Sequence, residues 1–152
     1  DNFKEGVSHV IPGMIHRLHK LIFIDDPEKP QEEKEFVVFG SGKPLRQFIY
    51  SMDLARLFLW VLRSYDNVEP IILSVDESAE VSIADLAESI AKAFNFKGKI
   101  VFDTAKADGQ YKKTASNKKL RELLLDFKFV EFDVAIKESV DWFVENYEKA
   151  RK

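Results

Sequence analysis

The run from Phe39 to Ala55, Phe-Gly-Ser-Gly-Lys-Pro-Leu-Arg-Gln-Phe-Ile-Tyr-Ser-Met-Asp-Leu-Ala, constrains this chain more than any other. The apolar stretch Phe36 to Phe39 has strand character and breaks at Gly40-Ser41-Gly42, where two glycines and the nearby Pro44 impose a turn. A short strand then carries Arg46, and a helix starts after Ser51. A guanidinium held beside a tight turn suits a phosphate, because its planar fork donates to two oxygens at once. The Gly-Ser-Gly-Lys segment itself is a turn: it has neither the spacing and Gly-Lys-Ser/Thr ending of a phosphate loop nor the third glycine of a dinucleotide fingerprint.

The flanking pattern alternates strands and helices and predicts an α/β fold with parts of a doubly wound sheet. Apolar spacing predicts a helix over 8–21 along Ile11, Met14, Ile15, Leu18 and Leu21, with Ser8 as N-cap and Pro12 in the first turn. His9 then stands at the mouth of this helix. His16, Arg17, His19 and Lys20 fall on its polar faces, and the two later histidines read as a solvated face rather than a metal pair, since no third ligand motif accompanies them. Residues 25–34, acidic and carrying Pro27 and Pro30, read as a solvated loop. The helix over 53–63 is apolar on nearly every side and needs cover on more than one. Pro70 to Val75 reads as a buried strand of the parallel-sheet kind. Ser82 with Asp85 forms a capping-box start for a helix striped by Ile83, Leu86, Ile90 and Phe94. A strand over 99–103, a polar loop over 104–115, a short helix capped by Ser116, and a last helix capped by Asp133 with Ile136, Val140, Phe143 and Tyr147 in line complete the chain.

A 45% hydrophobic content with thirteen Phe suits a packed interior, and 152 residues suffice for one core or for a piece of a larger one. The net charge of −3 provides no general attraction to nucleic acid, so any bound anion must be held locally. Cysteine is absent, which excludes disulfides and thiolate metal sites. With no apolar run of membrane-spanning length and no signal-like N-terminus, the expected setting is the cytoplasm. The opening Asp1-Asn2-Phe3, without a methionine, reads as the start of a fragment.

The aromatic-Gly-x-Gly run followed by Arg, x, Phe, Ile, Tyr, x, x, Asp, Leu, Ala resembles the second half of the extended short-chain dehydrogenase/reductases, the family that rebuilds nucleotide sugars. Ser8-His9-Val10-Ile11-Pro12-Gly13, the segment Phe102-Asp103 to Asp108-Gly109 with Lys112-Lys113, and Trp142-Phe143-Val144-Glu145-Asn146 continue the likeness in order. Within the family the likeness is to members that epimerise and reduce GDP-4-keto-6-deoxy-D-mannose with NADPH and form homodimers. It implies a C-terminal substrate-binding lobe of mixed α+β type plus elements completing a Rossmann sheet, with about residues 46–75 packing on an NADP-binding domain.

On residues alone, His9 reads as a cap or surface histidine ahead of a catalyst. The resemblance implies that it donates a proton to the keto-sugar and lies near the nicotinamide. It also implies substrate contacts for Arg17, Phe39, Arg46, Asp108 and Lys113. Phe39 stands where the family usually carries tryptophan or tyrosine, which leaves stacking but no polar donor. The family's Tyr-x-x-x-Lys pair, epimerase cysteine and Gly-rich cofactor loop are missing, so the chain by itself is expected to be inactive. A UDP-sugar epimerase or dehydratase of the same superfamily, and a non-enzymatic helical interaction domain, remain the alternatives.

Overall fold

The computed structural model describes residues 1–152. Three helices carry the core: α1 (Val10–Phe23), α3 (Ile83–Ala93) and α5 (Phe132–Glu145). Their inward stripes, Met14, Ile15, Leu18 and Ile22 on the first, Leu86, Ala87, Ile90 and Ala91 on the second, Ile136, Val140 and Phe143 on the third, meet in one cluster with Phe36 and Val38. The last two belong to β1 (Glu35–Phe39), whose side chains alternate between core and solvent as a half-buried strand requires. β1 pairs in parallel with β4 (Lys99–Asp103), Phe36 beside Ile100 and Phe39 beside Asp103. A second small sheet places β2 (Leu45–Arg46) between β3 (Val81–Ser82), antiparallel, and β5 (Lys112–Lys113), parallel. The remaining helices are α2 (Ser51–Ser64) and α4 (Lys118–Leu123). No helix is long and apolar enough to cross a membrane.

Local chemistry explains most boundaries. The capping box of α3 is formed on both sides, Ser82 accepting from the Asp85 amide at 3.0 Å and Asp85 accepting from the Ser82 amide at 3.1 Å. Three predicted caps are displaced. At α1 the N-cap is His9; Ser8 sits one residue too early and packs instead over Gly13, where a Cβ would stand 2.5 Å from its hydroxyl. At α4 the cap position is Asn117 rather than Ser116, and its amide is drawn away to the Ser74 carbonyl and Asp76, both at 2.9 Å. Asp133 lies inside the first turn of α5, tying that helix to α3 through Ser89 at 2.7 Å and Lys92 at 2.8 Å.

Larger departures concern burial. His16 and His19 are buried, not solvated: they lie against Phe143 and Tyr147, His19 stacked on Tyr147 with ring centroids 4.2 Å apart. The loop over 25–34 ends in a buried Lys34, whose ammonium donates to the carbonyls of Leu21, Ile22 and Asp26 at the C-terminus of α1. Residues 71–76 form no strand: no backbone ladder pairs with them, and the carbonyls of Ser74 and Val75 accept instead from the side chains of Asn117 and Gln47. The doubly wound sheet is accordingly represented here by two separate small sheets. α2 buries only Asp53 and Leu57 and leaves Met52, Phe58, Leu59 and Leu62 exposed.

Candidate functional site

A cavity of about 580 Å³ opens where the start of α1, the end of β1, β2 and the 107–109 loop converge. His9, Arg17, Phe39, Arg46 and Asp108, remote in sequence, all line it. Lys113, the remaining predicted contact, stands in β5 beside Arg46 and outside the cavity wall. Its neighbour Lys112 pairs with Glu80 at 3.1 Å.

Each side chain is placed by a local cause. His9 has extended backbone, and its carbonyl accepts the first helical bond of α1 from the Gly13 amide at 3.0 Å. Its imidazole is 88% exposed, with the Asp1 carboxylate 3.8 Å away, so it is free to meet a ligand from solvent. Arg17, two turns further along, stacks its guanidinium 4.6 Å above the Phe39 ring and donates to the Val37 carbonyl at 3.2 Å. Burial pushes its pKa down against the pull of Glu5, yet a guanidinium stays charged at any physiological pH. Phe39, at the exposed end of β1, is thereby an aromatic wall with a cation behind it.

Arg46 re-enters β2 and folds back so that Nη1 donates to the Leu45 carbonyl at 2.6 Å. Opposite it, Asp108 accepts from the Ser41 amide at 2.7 Å and the Ser41 hydroxyl at 2.6 Å. Those two bonds, then Lys43, hold its carboxyl below the usual range. Ser41 and Gln47 are the residues that sequence reasoning passed over. Gln47 donates to the carbonyls of Val75 and Ala115 at 3.0 Å and accepts from the Ala115 amide at 2.7 Å, binding β2 to two distant segments. Its only signal in the sequence was its place directly after Arg46.

Two guanidinium groups, an aromatic wall and an exposed imidazole fit an anionic ligand with a planar or apolar part and a group that takes up a proton. A larger groove, about 980 Å³, runs between Phe48, Tyr50, Met52, Phe127, Phe129 and Trp142. It has no histidine, Asp76 pairs there with Arg121, and Glu138 accepts from Tyr50, so its character is that of a packing surface.

A model of the NAD dependent epimerase/dehydratase family matches residues 1–75. Over all 152 residues the chain is 59% identical to a probable GDP-L-fucose synthase of Drosophila melanogaster, covering 47% of that protein, and 51% identical to the GDP-L-fucose synthase of Dictyostelium discoideum, covering 45%. A crystal structure of a GDP-L-fucose synthetase from Naegleria fowleri bound to NADP superposes on the whole chain with a TM-score of 0.91 at 53% identity, the match taking in 45% of that protein. The chain thus spans about half the length of the curated relatives it matches.

Proposed function

From the match of residues 1–75 to the NAD dependent epimerase/dehydratase family, we propose that the chain is the C-terminal, GDP-sugar-binding portion of a GDP-L-fucose synthase. The whole protein would convert GDP-4-keto-6-deoxy-D-mannose to GDP-L-fucose by two epimerisations and a reduction by NADPH. The observation that carries this is the convergence of His9, Arg17, Phe39, Arg46 and Asp108 on one cavity. Similarity to GDP-L-fucose synthases over all 152 residues of this chain supports the choice of GDP over UDP.

In this scheme Arg46 and Arg17 neutralise the diphosphate, and Phe39 lies flat against the sugar or base. Asp108 and, from the strand edge, Lys113 border the nucleotide. Inverting a carbon beside a carbonyl needs a base on one face and an acid on the other, and His9 is the acid because its imidazole is exposed at the cavity mouth. NADPH is not cradled by these residues. The one Gly-x-Gly turn has its Ser41 amide already engaged by the Asp108 carboxylate, so that amide is not free to donate to a cofactor pyrophosphate. His9 is then this chain's contact toward the nicotinamide, and the rest of the cofactor site lies outside these residues.

The unpaired strand-like segment 71–75 and the exposed apolar face of α2 support packing of about 46–75 on an NADP-binding domain, with homodimer contacts made mainly elsewhere. The isolated chain should have no NADPH-dependent turnover. The test is calorimetric titration of GDP and UDP into this chain joined with the remaining half of a GDP-L-fucose synthase relative. GDP-selective binding that disappears in Arg46→Ala is expected; equal or absent binding of both nucleotides would remove the basis for the substrate.

A further inference from the structure

The Gly40–Gly42 turn closes around a carboxylate that comes from sixty-seven residues away. Asp108 takes the Ser41 amide with one oxygen and the Ser41 hydroxyl with the other, while the same hydroxyl accepts from the Lys43 amide at 3.2 Å. Space for this is made by glycine. Gly40 has φ +87°, and a Cβ there would stand 2.4 Å from the Asp108 carboxylate oxygen. Gly42 has φ +77°, and a Cβ there would meet the Phe102 ring at 2.5 Å. Both glycines are therefore required by conformation and by close approach.

The latch bears on the cavity through the next residue. Gly109 flanks Arg46: a Cβ on it would stand at van der Waals contact, 3.4 Å, from Nη2. The guanidinium is thus tethered on one side by its bond to the Leu45 carbonyl and bordered on the other by Gly109. The strap carrying Gly109 is fixed at its beginning by the Gly40 amide to the Asp103 carbonyl, 3.0 Å, and at its end by the Leu45 amide to the Tyr111 carbonyl, 2.8 Å. Between those points the Asp108–Ser41 contact is its anchor to the rest of the fold.

We infer that Ser41 is a positioning residue: by holding Asp108 it fixes Gly109 against Arg46 and so aims the guanidinium at the phosphates of the ligand, without touching the ligand itself. This rests on the nucleotide-binding reading given above and names the residue that tunes it. It also separates Ser41, which acts through the strap, from Arg46, which meets the anion.

The experiment takes the chain joined, as above, with the remaining half of a GDP-L-fucose synthase relative and compares it with its Ser41→Ala, Ser41→Thr and Gly40→Ala variants. Hydrogen exchange is read over residues 104–111, and calorimetric affinity is measured for GDP and for inorganic pyrophosphate, which probes the guanidinium without a base. Loss of one charge-assisted hydrogen bond at an exposed site should speed strap exchange by roughly three- to tenfold in Ser41→Ala. Both affinities should fall by a similar factor, Ser41→Thr should restore them, and Gly40→Ala should reproduce the loss. In an Arg46→Lys background, which keeps a cation without the planar fork, Ser41→Ala should cost less affinity than in the original chain, since the two act on one contact. Unchanged strap exchange overturns the latch, and a loosened strap with undiminished affinity overturns the positioning role. If the unaltered chain binds pyrophosphate but not GDP, the nucleotide reading falls and the latch is judged on pyrophosphate; if it binds neither, both fall.

Discussion

Lys34→Met should destabilise the fold, although the substitution keeps the length and apolar character of the side chain. Lys34 is 2% exposed, and its ammonium donates to the Leu21 carbonyl at 2.8 Å, the Ile22 carbonyl at 3.1 Å and the Asp26 carbonyl at 2.7 Å. Carbonyls at a helix C-terminus have no partner within the helix, so the ammonium satisfies them and complements the helix dipole. Leaving a buried acceptor unsatisfied costs about 1–3 kcal/mol. The Ile22 bond is buried, whereas the other two lie partly in reach of water. Removing the desolvated charge returns part of the loss, so the net is about 2–3 kcal/mol. For a domain of this size that lowers Tm by roughly 5–10 °C. Thermal unfolding followed by circular dichroism measures it, with Lys29→Met, on the exposed part of the same loop, as the control expected to change little. A Lys34→Met shift below about 2 °C would refute the argument that this lysine ties the end of α1 to the start of β1.

Two further predictions concern pH. Burial first, then His16 and Lys152, pushes the His19 imidazole below its ordinary 6.5, so the unfolded chain binds a proton that the folded one resists. Stability should therefore fall as pH drops below 6.5, and His19→Phe, which preserves the stack on Tyr147, should lose less between pH 7 and pH 5; equal losses in urea midpoint would count against this. The bond from Arg121, then that from Asn117, holds the Asp76 carboxyl below its ordinary 3.8. Its contribution is complete above that pH and is lost on acidification through the lower folded value. Arg121→Met should thus be less stable than the original chain at pH 7, with the gap narrowing below pH 3.8, and a constant gap down to pH 2 would exclude the linkage.

How far the sequence reveals this molecule depends on whether a residue's partner lies nearby in the chain. The α3 capping box, the β1 alternation and the line Ile136, Val140, Phe143 are legible because a period or a three-residue spacing determines them. His16 and His19 are not, since their burial is decided by Phe143 and Tyr147 arriving from the far end of the chain. The same holds in the site: a tight turn and an arginine could be read locally, but the Ser41–Asp108 latch is a contact at long range. The expectations for α2 and for 70–75 share a single cause. Hydrophobic patterning states which residues seek burial and not what will cover them, so Phe58, Leu59 and Leu62 stand exposed and 71–75 stays unpaired. Apolar surface of that extent on one helix is the surface that the proposed docking on an NADP-binding domain would cover.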